Sequence, residues 1–298
     1  MTQPPLKGRL PGRLIDLIAR LPLSLQHRLG TWLGLFFWAI RGRERTATEI
    51  NLQLCFPDQS AQWRDRLGRQ SMIHTGKALL ETGAMWRWPE DRLCELVTSV
   101  KNRQVFDRAL AGNQGLLLAS PHIGAWELIA VYINASYPMV NMYRPARSAT
   151  LDPIIRNARE RFGAQTAPAN ASGVRTILKA LRENQVIGIL PDQEPDRENG
   201  VFAPLFNTPA CTMTLLGKLA QKNRTPVVFC VMKRLKKGFE LEFLEPLEDF
   251  YNPDPLQAAT AINQAVERCI AIAPEQYLWS YRRFRLLQEG GKRQYSRP

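Results

Sequence analysis

Residues 115–133 read GLLLASPHIGAWELIAVYI, and they restrict the fold more than any other stretch. Leu116, Leu117, Leu118 and Ala119 form an unbroken apolar run with no polar alternation. A run this short, bounded by turn residues, predicts a strand buried on both faces, as in a sheet sandwiched between helices. Ser120, Pro121 and Gly124 supply the turn, and residues 125–133 resume as an apolar helix. One of the chain's three histidines, His122, falls in that turn.

The same rhythm recurs downstream. Strands are predicted at residues 139–143, 186–190, 226–232 and 239–243, and helices at 149–162, 173–183, 211–222 and 255–272. Residues 46–112 read as mostly helical, with breaks at 56–58 and 88–90. This alternation predicts an α/β fold with a mixed, mostly parallel central sheet covered by helices. A chain of 298 residues holds one such domain with an appendage. The division is residues 1–45 as a membrane-anchoring helical segment and 46–298 as the α/β domain. Functional groups in such sheets gather at the carboxyl ends of strands. Three predicted strand ends carry them: His122 with Glu127 close behind, Arg144, and Asp192. Arg175 flanks another strand end.

The amino end has a different character. Residues 29–40 are apolar except for Thr31 and include Trp32 and Trp38. The run is short for a bilayer span, which needs roughly 20 apolar residues. Arg9, Arg13, Arg20 and Arg28 precede it, and Arg41, Arg43 and Arg45 follow. Apolar residues with Trp, flanked by Arg, predict a helix lying in the membrane interface on the cytoplasmic side. The competing expectation is a core-packing helix with a solvated basic edge. Forty Lys and Arg against 27 Asp and Glu give a formal charge of +13, which favours anionic partners. Nucleic acid is the generic choice, yet it leaves the apolar amino end unexplained and no nucleic-acid motif is present. Cys55, Cys94, Cys211, Cys230 and Cys269 are odd in number, widely spaced and without CxxC, so reduced thiols and no zinc site are expected.

On a continuous helix, positions five apart are offset by about 140°, so His122 and Glu127 would not face each other. With His122 in the turn before the helix, its ring folds back over the first turn. Glu127 then accepts from one ring nitrogen and leaves the other as a base, the arrangement that activates hydroxyl nucleophiles. No serine stands in a nucleophile elbow, so the activated hydroxyl belongs to a substrate. A structural histidine beside an unrelated glutamate fits the spacing equally well. Trp86 and Trp88, and Phe202, Leu205 and Phe206, are candidates to line an apolar pocket or for ordinary packing. His27 and His74 have no evident partner and read as structural.

The segment SPHIGAWE resembles the H-x-x-x-x-D/E motif of the lysophospholipid acyltransferase superfamily, which includes glycerolipid and lipid A enzymes. NLQLCFPD (51–58), YRPA (143–146), LPDQEPDRENGVFAPLFNTPACT (190–212) and APEQYLWSYRRFR (273–285) resemble the narrower family of late lipid A acyltransferases, the lauroyl and myristoyl enzymes of Gram-negative bacteria. The resemblance spans nearly the whole chain. It implies transfer of an acyl chain from acyl carrier protein to a hydroxyl of a lipid A precursor, without a metal or other cofactor, at the cytoplasmic face of the inner membrane. It implies His122 as general base with Glu127, and it matches Arg159 and Asp192 to the family's other essential charged positions. Arg144, Arg175 and the tail residues Arg282, Arg283 and Arg285 are candidates to meet the acidic acceptor or the acidic carrier. Glu in place of Asp in the motif, and the lack of an FPEG-like segment, favour lipid A-type acceptors over lysophosphatidate. Another lipid acceptor, such as an ornithine lipid, a lysophospholipid or a glycolipid, and a non-catalytic membrane-bound relative are the alternatives.

Overall fold

The computed structural model describes residues 6–146, 148–222, 224–290 and 294–295. Helices α1 (Leu6–Ala19), α2 (Leu23–Ala39), α3 (Arg43–Cys55), α4 (Ala61–Arg87) and the short α5 (Glu90–Cys94) come first. Strands and helices then alternate: β1 (Val97–Lys101), α6 (Arg103–Leu110), β2 (Leu116–Ala119), α7 (Trp126–Asn134), β3 (Met139–Tyr143), α8 (Leu151–Glu160), β4 (Gln165–Pro168), α9 (Ala171–Arg182) and β5 (Val186–Ile189). A hairpin, β6 (Gly200–Leu205) and β7 (Thr208–Met213), leads to α10 (Leu215–Lys222). Strands β8 (Val227–Arg234) and β9 (Phe239–Leu244) and the long α11 (Pro255–Ile272) complete the domain.

Seven strands form one sheet in the order β1-β9-β8-β2-β5-β3-β4. Every pairing is parallel except β8 with β9, so the sheet is mixed and mostly parallel, as the alternation predicts. Alternate strand residues face opposite layers. Leu117, Ala119, Ile187, Ile189, Val227, Phe229 and Val231 pack against α9, α10 and α11. Leu116, Leu118, Val186, Val228, Cys230 and Met232 pack against α5, α6, α7 and the end of α4. Two-sided burial explains why these strands read as continuous apolar runs. The strand order sets β2, β5 and β3 side by side, which brings the turns after residues 119, 189 and 143 to one edge.

The structure adds strands β1 and β4 and the β6–β7 hairpin to the predicted elements, and α10 begins at Leu215 instead of residue 211. In the hairpin, Pro204 lies opposite Pro209. Proline interrupts a central strand but is tolerated in a two-stranded ribbon with open sides, so it misleads a reading based on propensity. The turn residues Phe206 and Asn207 have φ of 47° and 65°, as a two-residue primed turn requires. Phe206 is an unusual occupant. Its N–H donates to Glu267 at 2.7 Å and its ring packs 4.9 Å from that of Phe56.

The amino-terminal helices dock onto α4 through an unusually close crossing. Gln26, Gly30, Gly34 and Trp38, four residues apart, form the buried stripe of α2. A Cβ on Gly34 would stand 2.3 Å from the Met72 carbonyl oxygen, and one on Gly76 would stand 2.1 Å from that of Gly30. Only glycine permits such contact between helix backbones. The opposite stripe of α2 exposes Leu29, Trp32 and Phe36, followed by Ile40 at its C-cap, and α1 exposes Leu14 and Leu17. Arg13, Arg20, Arg28, Arg41 and Arg43 are exposed around it. Among the described residues, no helix is long and apolar enough to cross a membrane.

Candidate active site

The turn from β2 to α7 is held on two sides. Gly124 has φ of 60°, and a Cβ there would fall 1.9 Å from the Met232 carbonyl oxygen, so the turn lies flush against β8. The Gly124 and Ala125 N–H groups donate to the Gln276 and Met232 carbonyls at 3.1 and 2.9 Å. Leu278 N–H donates to the His122 carbonyl at 3.0 Å. From below, Arg234 donates to the Gly124 carbonyl at 2.7 Å and forms a two-pronged ion pair with Glu81. His27 of α2, expected to lack a partner, donates from Nε2 to the same carboxylate at 2.8 Å. Burial opposes ionisation of Glu81, but the Arg234 guanidinium outweighs it and holds the pKa below the usual carboxylate range. His74 is half-buried, and desolvation followed by Arg234 pushes its pKa down to about 3, consistent with a structural, neutral ring.

The Asp192 carboxylate reaches His122 from the neighbouring strand end. Asp192 Oδ2 accepts from the His122 backbone N–H at 3.0 Å, and Oδ1 accepts from ring Nδ1 at 2.8 Å. This corrects the pairing expected from spacing, in which Glu127 bonds to the ring. Strands β2 and β5 are direct neighbours, so position 192 lies closer to the imidazole than Glu127, the second residue of α7. A carboxylate only accepts, so Nδ1 carries the proton and Nε2 presents its lone pair. Gln193 Nε2 sits 3.1 Å from that nitrogen, and the Trp126 indole packs edge-on against the ring. Asp192 is 3% exposed. Burial opposes its charge, but the His122 ring and backbone bonds prevail and depress the pKa. The buried Tyr277 hydroxyl also faces Asp192; burial first, then that carboxylate, raises its pKa far above the usual tyrosine range.

Glu127 turns toward α8. Its two oxygens accept from Arg159 Nε, at 3.1 Å, and from Nη2, and Trp86 Nε1 donates to it at 3.4 Å. A guanidinium matches a carboxylate in two places and carries full charge, so it outcompetes a neutral imidazole for Glu127. Burial disfavours the Glu127 charge, yet Arg159 holds the pKa below the usual range, and Glu127 raises that of Arg159 in return. The pair lines a cavity of about 50 Å³ with Ser120, Trp126, Ile129, Met139 and Asn141. That is room for a few water molecules. The flexible Met139 and Met142 and the half-buried Trp126 are the walls that can yield to a larger occupant.

His122, Asp192, Glu127 and Arg159 therefore converge, whereas other predicted residues do not. Arg144 forms an exposed ion pair with Asp196 at 2.9 Å, and Arg175 is exposed on α9, so both lie outside the convergent cluster. In the tail, Arg283 is buried and donates to the Cys211 carbonyl and the Thr212 hydroxyl, a structural duty. Arg285 pairs with the buried Glu194 at 3.3 Å. Trp88 donates to the Ala19 carbonyl and packs under α1, and Phe206 packs against Phe56 and Trp279. Gln193, Trp126 and Tyr277 are site residues that the pattern of charges does not reveal; each is adjacent in sequence to a conspicuous group or motif. All five cysteines are free thiols. Among the described residues, no group of three or more His, Cys, Asp or Glu is placed to hold a metal ion.

A profile described as bacterial lipid A biosynthesis acyltransferase matches residues 13–286. The chain is 30% identical over 282 residues to the lipid A biosynthesis lauroyltransferase of Escherichia coli strain K12, covering 94% of this chain and 91% of that protein. It is 30% identical over 270 residues to the palmitoleoyltransferase of the same strain, covering 89% and 87%. Against the myristoyltransferase of that strain, identity is 23% over 284 residues, covering 94% and 87%.

Proposed function

The chain belongs to the bacterial lipid A biosynthesis acyltransferase family, and on that premise we propose that it moves a fatty acyl chain from acyl carrier protein to a hydroxyl of a lipid A precursor, with His122 as general base. The observation that carries this reading is the bond between His122 Nδ1 and Asp192, which leaves Nε2 basic at the carboxyl edge of the sheet.

The reaction follows from that geometry. Nε2 takes the proton of the acceptor hydroxyl as its oxygen attacks the thioester carbon. The tetrahedral centre collapses, the carbon–sulfur bond breaks, and the leaving thiolate takes the proton back from Nε2. Asp192 fixes the tautomer and stabilises the transient imidazolium, a contribution of the kind worth about 10²–10⁴-fold for general-base catalysis. Glu127 and Arg159 hold each other in the cavity wall, where they orient the start of α7 and give an acyl chain a mostly apolar berth once Trp126 and the methionines shift. The chemistry requires no metal or other cofactor.

The exposed apolar stripe on α1 and α2, ringed by arginines, supports an interfacial seat at the cytoplasmic face of the inner membrane. Residues 1–5 of the expected anchoring segment 1–45 lie outside the described residues. Arg144 and Arg175, exposed outside the cluster, suit an acidic carrier or a phosphorylated acceptor. The decisive experiment is mass spectrometry of a lipid A precursor incubated with the protein and mixed acyl carrier thioesters, beside His122→Ala. A gain of one acyl chain, absent with the variant, is expected. No gain with the wild-type protein redirects the search to other lipid acceptors, and gain with both proteins removes the base.

A further inference from the structure

The direct-transfer reading leaves one requirement unmet. Negative charge builds on the thioester oxygen, and something must donate to it. The backbone donors of residues 122–125 are already committed, which leaves only those of Trp126 and Glu127 at the start of α7. His122 N–H is held by Asp192, Ile123 N–H by the Pro121 carbonyl at 2.7 Å, Gly124 N–H by Gln276 and Ala125 N–H by Met232. Arg159 spends Nε and Nη2 on Glu127. The polar group that stands on the reacting nitrogen is the Gln193 side chain, with its amide nitrogen 3.1 Å from His122 Nε2. Since Nε2 carries the lone pair, Gln193 is the donor in that contact.

We infer that Gln193 is a catalytic residue of the transfer reaction, the side-chain donor that holds the thioester oxygen as charge develops on it. The inference rests on His122 acting as the base. The incoming hydroxyl must take the position at Nε2 that the amide now occupies. A rotation about the end of the Gln193 side chain clears that position and keeps the N–H beside the carbon under attack. As oxygen bonds to carbon, the proton passes to Nε2, the carbonyl electron pair moves onto oxygen, and Gln193 N–H donates to it. Collapse re-forms the carbonyl, expels sulfur and returns the proton to the thiolate. Without substrate the same amide covers the lone pair, so the base is occupied until an acceptor arrives.

The backbone at Gln193 is built for such a task. Asp192 on one side is locked to His122. Glu194 on the other is buried; its oxygens accept from Leu286 N–H at 2.8 Å and from Arg285, and its N–H donates to the Tyr281 hydroxyl at 2.9 Å. With the backbone clamped on both sides, only the end of the Gln193 side chain has to turn during reaction, which limits the reorganisation the donor needs.

The test compares Gln193→Met, which keeps the length and loses the donor, and Gln193→Ala with His122→Ala and the wild type. Full-length proteins are assayed with acyl carrier thioesters and a phosphorylated lipid A precursor in mixed micelles. In both Gln193 variants kcat should fall about 100- to 1,000-fold, with KM for each substrate within about threefold and the acid limb of the kcat profile against pH unmoved. A residue that only props the loop would change unfolding temperature or KM instead. A Gln193→Met enzyme with kcat within about threefold of wild type, or a loss confined to KM, overturns the donor. If His122→Ala is inactive while Gln193→Met is not impaired, the base stands and the donor alone falls. If His122→Ala is fully active, the base reading falls with it. Should one Gln193 variant misfold, the other carries the comparison.

Discussion

Replacing Asp192 by asparagine changes one atom and should silence the enzyme. Asp192 accepts two N–H groups at once, the His122 backbone amide at 3.0 Å and ring Nδ1 at 2.8 Å. Asparagine has a single acceptor oxygen. The backbone donor is fixed, so the amide oxygen settles there and its NH₂ faces the ring. Two donors cannot share that contact, and the ring relieves it by moving its proton to Nε2. The base is then protonated in its neutral form. The corresponding change in the serine-protease triad costs about 10⁴-fold in kcat by enforcing the wrong tautomer, equivalent to about 5.5 kcal/mol of barrier. The assay is kcat for acyl transfer, with unfolding temperature at two pH values as control. The Asp192 pKa is depressed in the folded protein, so its ionisation contributes stability above the ordinary carboxylate pKa of about 3.9, and that contribution fades as pH falls through the folded value. Asp192→Asn should therefore be less stable than wild type near pH 7 and converge with it below about pH 4. Glu127→Gln is the contrast: it leaves the tautomer alone and strands Arg159, so the expected loss is about 3 kcal/mol of stability. An Asp192→Asn enzyme within about tenfold of wild type in kcat, or one rescued by substrate concentration alone, refutes the tautomer argument.

Two further outcomes follow from the amino-terminal helices. Gly34→Leu drives a side chain into a space where even Cβ meets a carbonyl at 2.3 Å, so unfolding should be eased by about 3 kcal/mol, read as a lowered transition temperature. Trp32 is 70% exposed, so Trp32→Glu should leave that temperature unchanged. If the indole is immersed in lipid, it withdraws about 140 Å² from water at about 25 cal/mol per Å², or about 3.5 kcal/mol and some 300-fold in partitioning. Co-sedimentation with anionic vesicles measures this, and unchanged binding would move the anchor elsewhere.

The central sheet was legible because burial on both faces leaves a plain mark: Leu116 to Ala119 and Val186 to Ile189 have no polar residue to confuse them. The hairpin was not, because Pro204 and Pro209 obscure a pairing whose prolines sit opposite each other. The site was half legible. Charged groups at strand ends point to His122, Glu127 and Asp192, and the family resemblance adds Arg159, but which of them touch depends on the fold. Nothing in the one-dimensional spacing says that β5 lies beside β2; that adjacency gives His122 to Asp192, which leaves Glu127 to Arg159 of α8. Gln193 carries no charge and so left no mark beyond standing next to Asp192.

The chain of contacts from His27 through Glu81 and Arg234 to the Gly124 carbonyl has a mechanical consequence. It ties the helix bearing the apolar stripe to the very turn that carries His122, and the glycine crossing leaves that helix no slack. If the stripe rests in lipid, the height of Nε2 above the bilayer is a constant of the fold and not a variable of a tether. The acceptor hydroxyl must rise to that level, and lipids whose hydroxyl sits deeper or shallower are rejected by elevation before any pocket inspects them. A flexible mount would have to find this alignment anew in every cycle; a rigid one settles it once, when the protein folds.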